Sequence, residues 1–182
     1  TPAYAKILDI GGSQNPIKGR VCDFDKNTEY KILDLEQPHE KKQKPDIVWD
    51  INKEIEPLDL ENKFDVVFCV EVMEYVYNPL KALNNIWRFL KKGGILYLST
   101  HWLYCSHNPV GLDYLRYSKA GIDKLLQETG FEIVEIIPRE LSHEGLKLLS
   151  QFYQAEGMRW NKEDYQEGYL IIARKGGEEK ND

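Results

Sequence analysis

Residues 7–16 read ILDIGGSQNP. An apolar run broken only by Asp9 leads straight into a glycine pair, and Ser13, Gln14, Asn15 and Pro16 keep the chain turning. Glycine at the end of a strand lets backbone approach a ligand with no Cβ in the way; a tight strand-to-loop turn accounts for it equally well. The dinucleotide pattern GxGxxG is absent, because positions 11–16 read GGSQNP, and this disfavours a nicotinamide or flavin dinucleotide cradle.

Outward from this stretch, short apolar runs recur. They lie at 5–10 (AKILDI), 30–34 (YKILD), 46–49 (DIVW), 64–69 (FDVVFC), 95–99 (ILYLS), 131–137 (FEIVEII) and 169–174 (YLIIAR). Near-continuous apolar runs of this length predict strands covered on both faces, as in parallel sheets. Helical patterns separate them. From Pro79, which suits a first helical turn, Leu80, Leu83, Ile86, Trp87 and Leu90 form one stripe that Gly93-Gly94 ends. A second helix starts at Ser118 as N-cap, buries Ile122, Leu125 and Leu126, and stops at Gly130. A third runs from Ser142 to Ala155, with Leu146, Leu149 and Phe152 on one side. Strands alternating with helices predict an α/β three-layer sandwich, whose ligands bind beyond the carboxyl ends of the strands. A single domain over 1–175 and a flexible charged tail over 176–182 account for the whole chain, with neither repeat nor linker.

Composition narrows the function classes. Of 182 residues, 42% are hydrophobic, so a packed core is expected. The balance of 24 Lys+Arg against 30 Asp+Glu, net −6, disfavours a nucleic-acid partner, because such affinity comes mainly from basic residues that release counterions. No apolar run approaches the roughly 18–20 residues that cross a bilayer, and TPAYAKILDI lacks the basic, apolar and small-residue pattern of a leader. Cys22, Cys69 and Cys105 form no CxxC pair, so reduced thiols and a cytoplasmic setting are expected.

The strand ends carry the chemistry. Asp34 closes the second strand, where a carboxylate can accept from both hydroxyls of a ribose or cap the next turn. Asp50 follows the third strand, where it can accept from an adenine amino group or cap the segment after it. Taken in order, ILDIGGSQNP, YKILD, KPDIVWDI, FDVVFCVEVMEYVYNP, LKKGGILYLST and DYLRYSKAGIDKLLQETGFEIVEI resemble the class I S-adenosylmethionine-dependent methyltransferases over nearly the whole chain, in their small bacterial form.

The resemblance implies a Rossmann-like, seven-stranded, mostly parallel sheet in the order 3-2-1-4-5-7-6, with S-adenosyl-L-methionine as cofactor. By position it implies that Asp9, Gly11, Gly12 and Ser13 surround the methionine part of the cofactor. It implies that Asp34 and Leu35 hold the ribose and flank adenine, that Asp50 and Ile51 face the adenine edge, and that Cys69, Val70 and Glu71 line the methionine end. Two positions depart from the pattern: the loop reads GGSQN where many members have GCGxG, and Tyr75 stands where many carry His. Many relatives also carry a helical segment ahead of the first strand, so an open acceptor side, or a cover missing here or supplied by a partner, is expected.

The acceptor pocket is expected in the loop after strand five, with Trp102, Tyr104, His107, Tyr114 and Arg116 as substrate-binding residues and His101 as candidate base. Arg116 either clamps an acidic group of the substrate or pairs with Asp113. His101, Cys105, His107 and Asp113 also have spacing that a zinc ion could use, but composition alone produces such clusters and no metal is expected. The leading expectation is methyl transfer to a small-molecule or sugar-like acceptor. The competing one is a non-catalytic cofactor-binding or scaffold protein of the same fold.

Overall fold

A computed structural model describes residues 4–21, 23–37, 43–54, 60–106, 111–157 and 165–177. Its strands are β1 (Lys6–Ile10), β2 (Glu29–Asp34), β3 (Ile47–Val48), β4 (Phe64–Cys69), β5 (Leu90–His101), β6 (Phe131–Glu140) and β7 (Gln166–Lys175). They form one sheet in the order β3-β2-β1-β4-β5-β7-β6, the order the family resemblance implies. The pairs β1–β2, β1–β4, β2–β3 and β4–β5 are parallel, whereas β7 runs antiparallel to both β5 and β6. Central β1 buries Ile7, Leu8, Asp9 and Ile10 in succession, the two-sided burial that a near-continuous apolar run requires.

Helix α1 (Pro79–Phe89) starts where expected: the Asn78 side chain accepts from the Lys81 N–H at 3.3 Å and Pro79 occupies the first turn. Its buried face is Ala82, Leu83, Asn85, Ile86 and Phe89, and Leu80 is exposed. The apolar stripe read through to Leu90 breaks there, because Leu90 turns extended (φ −73°, ψ 141°) and opens β5 opposite Phe64. The strand therefore begins ahead of the glycine pair, and Gly93 (φ 74°) bends it within a bulge. The buried Asn85 amide donates to the carbonyls of Ile51 at 3.0 Å and Lys53 at 2.9 Å, which fastens the turn after β3 to the helix.

Helix α2 (Lys119–Glu128) is capped by Ser118, which accepts from the Gly121 N–H at 3.2 Å, and Gly130 leaves it at φ 82°. It buries Ile122 and Leu126 against the same core as α1. Helix α3 (His143–Ala155) has the expected Ser142 cap, yet none of its side chains is buried. Leu146 and Leu149 are partly covered, while Leu148 and Phe152 stay open at 68% and 58% exposure. The helix lies in the connection from β6 to β7.

On the opposite face of the sheet, Ala5, Ile7 and Val66 pack under Phe24, Tyr30, Phe68 and Tyr97. Adjacent rings in that row are centred 5.7, 6.4 and 5.0 Å apart. Among the described residues the connection from β1 to β2 holds no helix, so aromatic side chains form the third layer there. Of the tail, Gly176 and Gly177 follow β7, and 178–182 lie outside the described residues. No helix among the described residues is long and apolar enough to cross a membrane.

Fully buried Ile86 and exposed Leu80 provide a test of this packing. Ile86→Ala should lower unfolding free energy by about 2–5 kcal/mol and Leu80→Ala by less than about 0.5 kcal/mol, both read from urea denaturation.

Candidate functional site

A cavity of about 530 Å³ opens beyond the carboxyl ends of β1, β2, β3 and β4, within the size range of small-ligand sites. Gly11, Asp34, Leu35, Asp50, Ile51, Val70 and Glu71 from the sequence-derived set line it. Asp9, Gly12, Ser13 and Cys69 do not: each is buried behind the wall.

The wall depends on Asp9. This side chain is 2% exposed; its Oδ2 accepts from the Ile17 N–H at 2.9 Å and from the Tyr30 hydroxyl. Burial raises its pKa against the pull of those two hydrogen bonds. A Cβ on Gly12 would sit 2.6 Å from Asp9 Oδ2, so that glycine serves packing against the carboxylate. Gly11 is at the cavity in a left-handed conformation (φ 77°), and a Cβ there would meet the Val72 side chain at 2.5 Å.

Asp34 stands at the end of β2, with Oδ2 accepting from the Ser13 N–H at 3.1 Å and Oδ1 from the Leu35 N–H at 2.8 Å. Asp50 Oδ1 accepts from the Asn52 N–H at 2.9 Å and the Asn52 amide at 3.0 Å, an Asx turn that aims the carboxylate. Burial pushes the Cys69 thiol up, keeping it protonated.

At the end of β4, Glu71 adopts a left-handed backbone (φ 57°), a strained conformation for a non-glycine residue. Ser99 holds it from β5: the Ser99 Oγ accepts from the Glu71 N–H and donates to its Oε1, both at 2.7 Å. Glu71 also pairs with His101 Nε2 at 2.8 Å and Arg139 Nη1 at 2.7 Å. The His101 ring is 1% exposed, 3.4 Å from Glu74 Oε1, and stacked on Tyr104 at 4.3 Å.

Burial works against charge on this imidazole, but the hydrogen bonds to Glu71 and Glu74 outweigh it and raise its pKa to about 9. Burial likewise opposes ionisation of Glu71, but His101 and Ser99 outweigh it and lower its pKa to about 2. His101 therefore lies behind the cavity wall as an imidazolium at neutral pH. Ligand atoms of Glu71, Glu74 and His101 fall within 4.8 Å of one another, so with a neutral imidazole the cluster has the donors for a divalent cation.

The zinc set considered from sequence is not assembled. Asp113 is bound by Arg116, Cys105 is exposed, and His107 lies outside the described residues. Arg116 takes the pairing alternative and also donates to the carbonyls of Cys105 at 2.9 Å and Leu115 at 2.9 Å. Trp102 packs against the core. Among the described residues, Tyr114 alone of the expected acceptor residues lines the cavity, edge-on to Tyr77 with ring centres 6.0 Å apart. Sequence reasoning missed Tyr77, Leu112, Trp49 and Arg20; Tyr77 lay in view within EYVYNP, two residues before the helix-starting proline.

The pH response follows from these two shifts. His101 is raised from 6.5, so its stabilisation is complete below about pH 6.5 and is lost as pH rises through about 9. Glu71 is lowered from 4.5, so its share is complete above about pH 4.5 and is lost as pH falls through about 2. NMR titration of the ring protons should place the His101 midpoint near 9, and Glu71→Gln should move it downward. A wild-type midpoint at or below 6.5 would contradict the His101–Glu71 ion pair.

Residues 19–98 match the family model described as a methyltransferase domain. A ubiquinone biosynthesis O-methyltransferase of Nitrobacter winogradskyi is 27% identical over 131 residues, 68% of this chain and 49% of that protein, so the chain spans about half its relative's length. A SAM-dependent methyltransferase from Archaeoglobus fulgidus shares the fold at a TM-score of 0.64 and 15% identity, covering 96% of this chain and 89% of that one. The cyclase SpnF shares it at a TM-score of 0.62 and 17% identity, covering 96% and 75%; likeness at this level shows the fold alone. The domain match spans β2 to β5, and the strand order, with a cavity beyond the strand ends, is the one that the resemblance to class I S-adenosylmethionine-dependent methyltransferases implies.

Proposed function

We propose that this chain binds S-adenosylmethionine and directs its methyl group to a small-molecule acceptor. The observation that carries the reading is the continuity of the cavity, which joins Asp34 and Asp50 at the strand ends to an aromatic wall of Tyr77 and Tyr114. The lining suits the cofactor chemically. Asp34 can accept from both ribose hydroxyls and Asp50 from the adenine amino group. Once bound, the cofactor supplies a methyl activated for in-line displacement.

The residues of the chain then position and exclude. Tyr77 and Tyr114 hold a planar ring or the face of a sugar, and alignment with the methyl carries much of the acceleration. A base is required only when the acceptor must shed a proton near the transition state. His101, buried and charged between two carboxylates, acts as a clamp on the cavity wall instead of as that base. The Nitrobacter relative's name, an O-methyltransferase of ubiquinone biosynthesis, makes phenolic hydroxyls the first acceptors to test. Free Cys69 and Cys105 suit a reducing, cytoplasmic setting. Cofactor binding without transfer is the second reading, favoured by the occurrence of the same fold in a cyclase.

Calorimetry should detect S-adenosylmethionine binding, and Asp34→Ala should weaken it by about ten-fold or more through loss of hydrogen bonds to a charged acceptor. No binding at millimolar cofactor sinks the proposal. Binding with no S-adenosylhomocysteine release across phenolic, sugar and amine acceptors favours the second reading.

A further inference from the structure

We infer that Arg20 receives the carboxylate of the cofactor's amino-acid end and so sets which way round the cofactor lies. The inference rests on the cofactor-binding reading above. Arg20 is the only lysine or arginine among the described residues that line the cavity, against four carboxylates, Asp34, Asp50, Glu71 and Glu74. It also borders a shallower recess of about 350 Å³ that Lys18 and Gln43 line.

S-adenosylmethionine brings one carboxylate, one ammonium, one sulfonium and a nucleoside rich in donors. Its cationic and donor groups have acceptors at the ends of β2, β3 and β4. Its carboxylate meets like charge at Asp34 and Asp50, Glu71 is already paired with His101 and Arg139, and the favourable position on the lining is beside Arg20. A guanidinium presents paired N–H groups that match a carboxylate geometrically.

The backbone under Arg20 is fixed in advance. Asp9 holds the Ile17 N–H at 2.9 Å, and the Ile17 carbonyl accepts from the Arg20 N–H at 3.2 Å and the Val21 N–H at 3.0 Å. The Arg20 Nε donates to the Pro16 carbonyl at 3.4 Å, which steers the side chain along the loop. The central buried carboxylate of the sheet thus positions, two steps away, the cation at the cavity rim.

The test compares two nucleosides that differ only at this end. S-adenosylhomocysteine carries the amino-acid carboxylate, and 5′-methylthioadenosine lacks the amino-acid group altogether. In calorimetry, Arg20→Gln should weaken S-adenosylhomocysteine by about ten-fold and leave 5′-methylthioadenosine within about two-fold. Arg20→Lys should retain part of the difference, and circular dichroism of each variant checks the fold. An Arg20→Gln protein that binds S-adenosylhomocysteine as wild type does, or that loses both nucleosides equally, overturns the assignment of Arg20 alone. Wild-type protein that binds neither nucleoside overturns the cofactor reading, and Arg20's role with it.

Discussion

A carboxylate buried at the centre of a sheet is costly unless its hydrogen bonds are met. Asp9 is such a group, and the cavity end of this molecule is organised around meeting them. Its Oδ2 takes the Ile17 N–H and the Tyr30 hydroxyl, so the loop after β1 and the start of β2 are bound to one oxygen. That oxygen forbids any side chain at residue 12, and Gly11 turns left-handed to carry the chain past Val72 to the cavity. Tyr30, while donating to Asp9, also stacks on Phe24 in the aromatic layer of the opposite face. Loop conformation, cavity rim and third layer thus share a single anchor.

A second constraint ties the right half of the sheet to the same cavity. Ser99 and His101 from β5, Glu71 after β4 and Arg139 from β6 form a charged chain across three strands, and Arg139 extends it to Glu167 on β7 at 3.1 Å. The imidazolium and guanidinium offset the negative charge of Glu71 and Glu74. They also hold Glu71 in a backbone conformation that it would not adopt unaided. The proposed function asks this site largely for electrostatic placement, which suits chemistry in which the cofactor supplies the reactive group.

The strands were legible because each is a short apolar run with polar or turn residues beside it, and the helix caps Asn78-Pro79, Ser118 and Ser142 were legible because capping is local. Leu90 was read as helical because its spacing from Ile86 fits a helix; cross-strand pairing with Phe64 overrode that periodicity. Helix α3 has the pattern of a buried helix, yet Phe152 and Leu148 stay uncovered. Within the site, Asp34 and Asp50 could be picked out because strand ends face the cavity. His101 could not be placed, since its charge state depends on Glu71 and Glu74 folding back onto it from another strand.

Local periodicity and backbone sterics mark which segments are strands and helices, where the glycine turn falls and which carboxylates sit at strand ends. Which polar groups face the cavity and which face protein follows from the packing of distant segments. Asp9 and Asp34 each end or nearly end a strand in similar sequence surroundings, yet one is sealed beneath the loop and the other lines the cavity. The difference lies in the neighbours brought up by long-range pairing: β1 is enclosed between β2 and β4, and β2 has only the two-residue β3 beyond it. Burial, and with it charge, hydrogen bonding and chemical role, is a property of those neighbours.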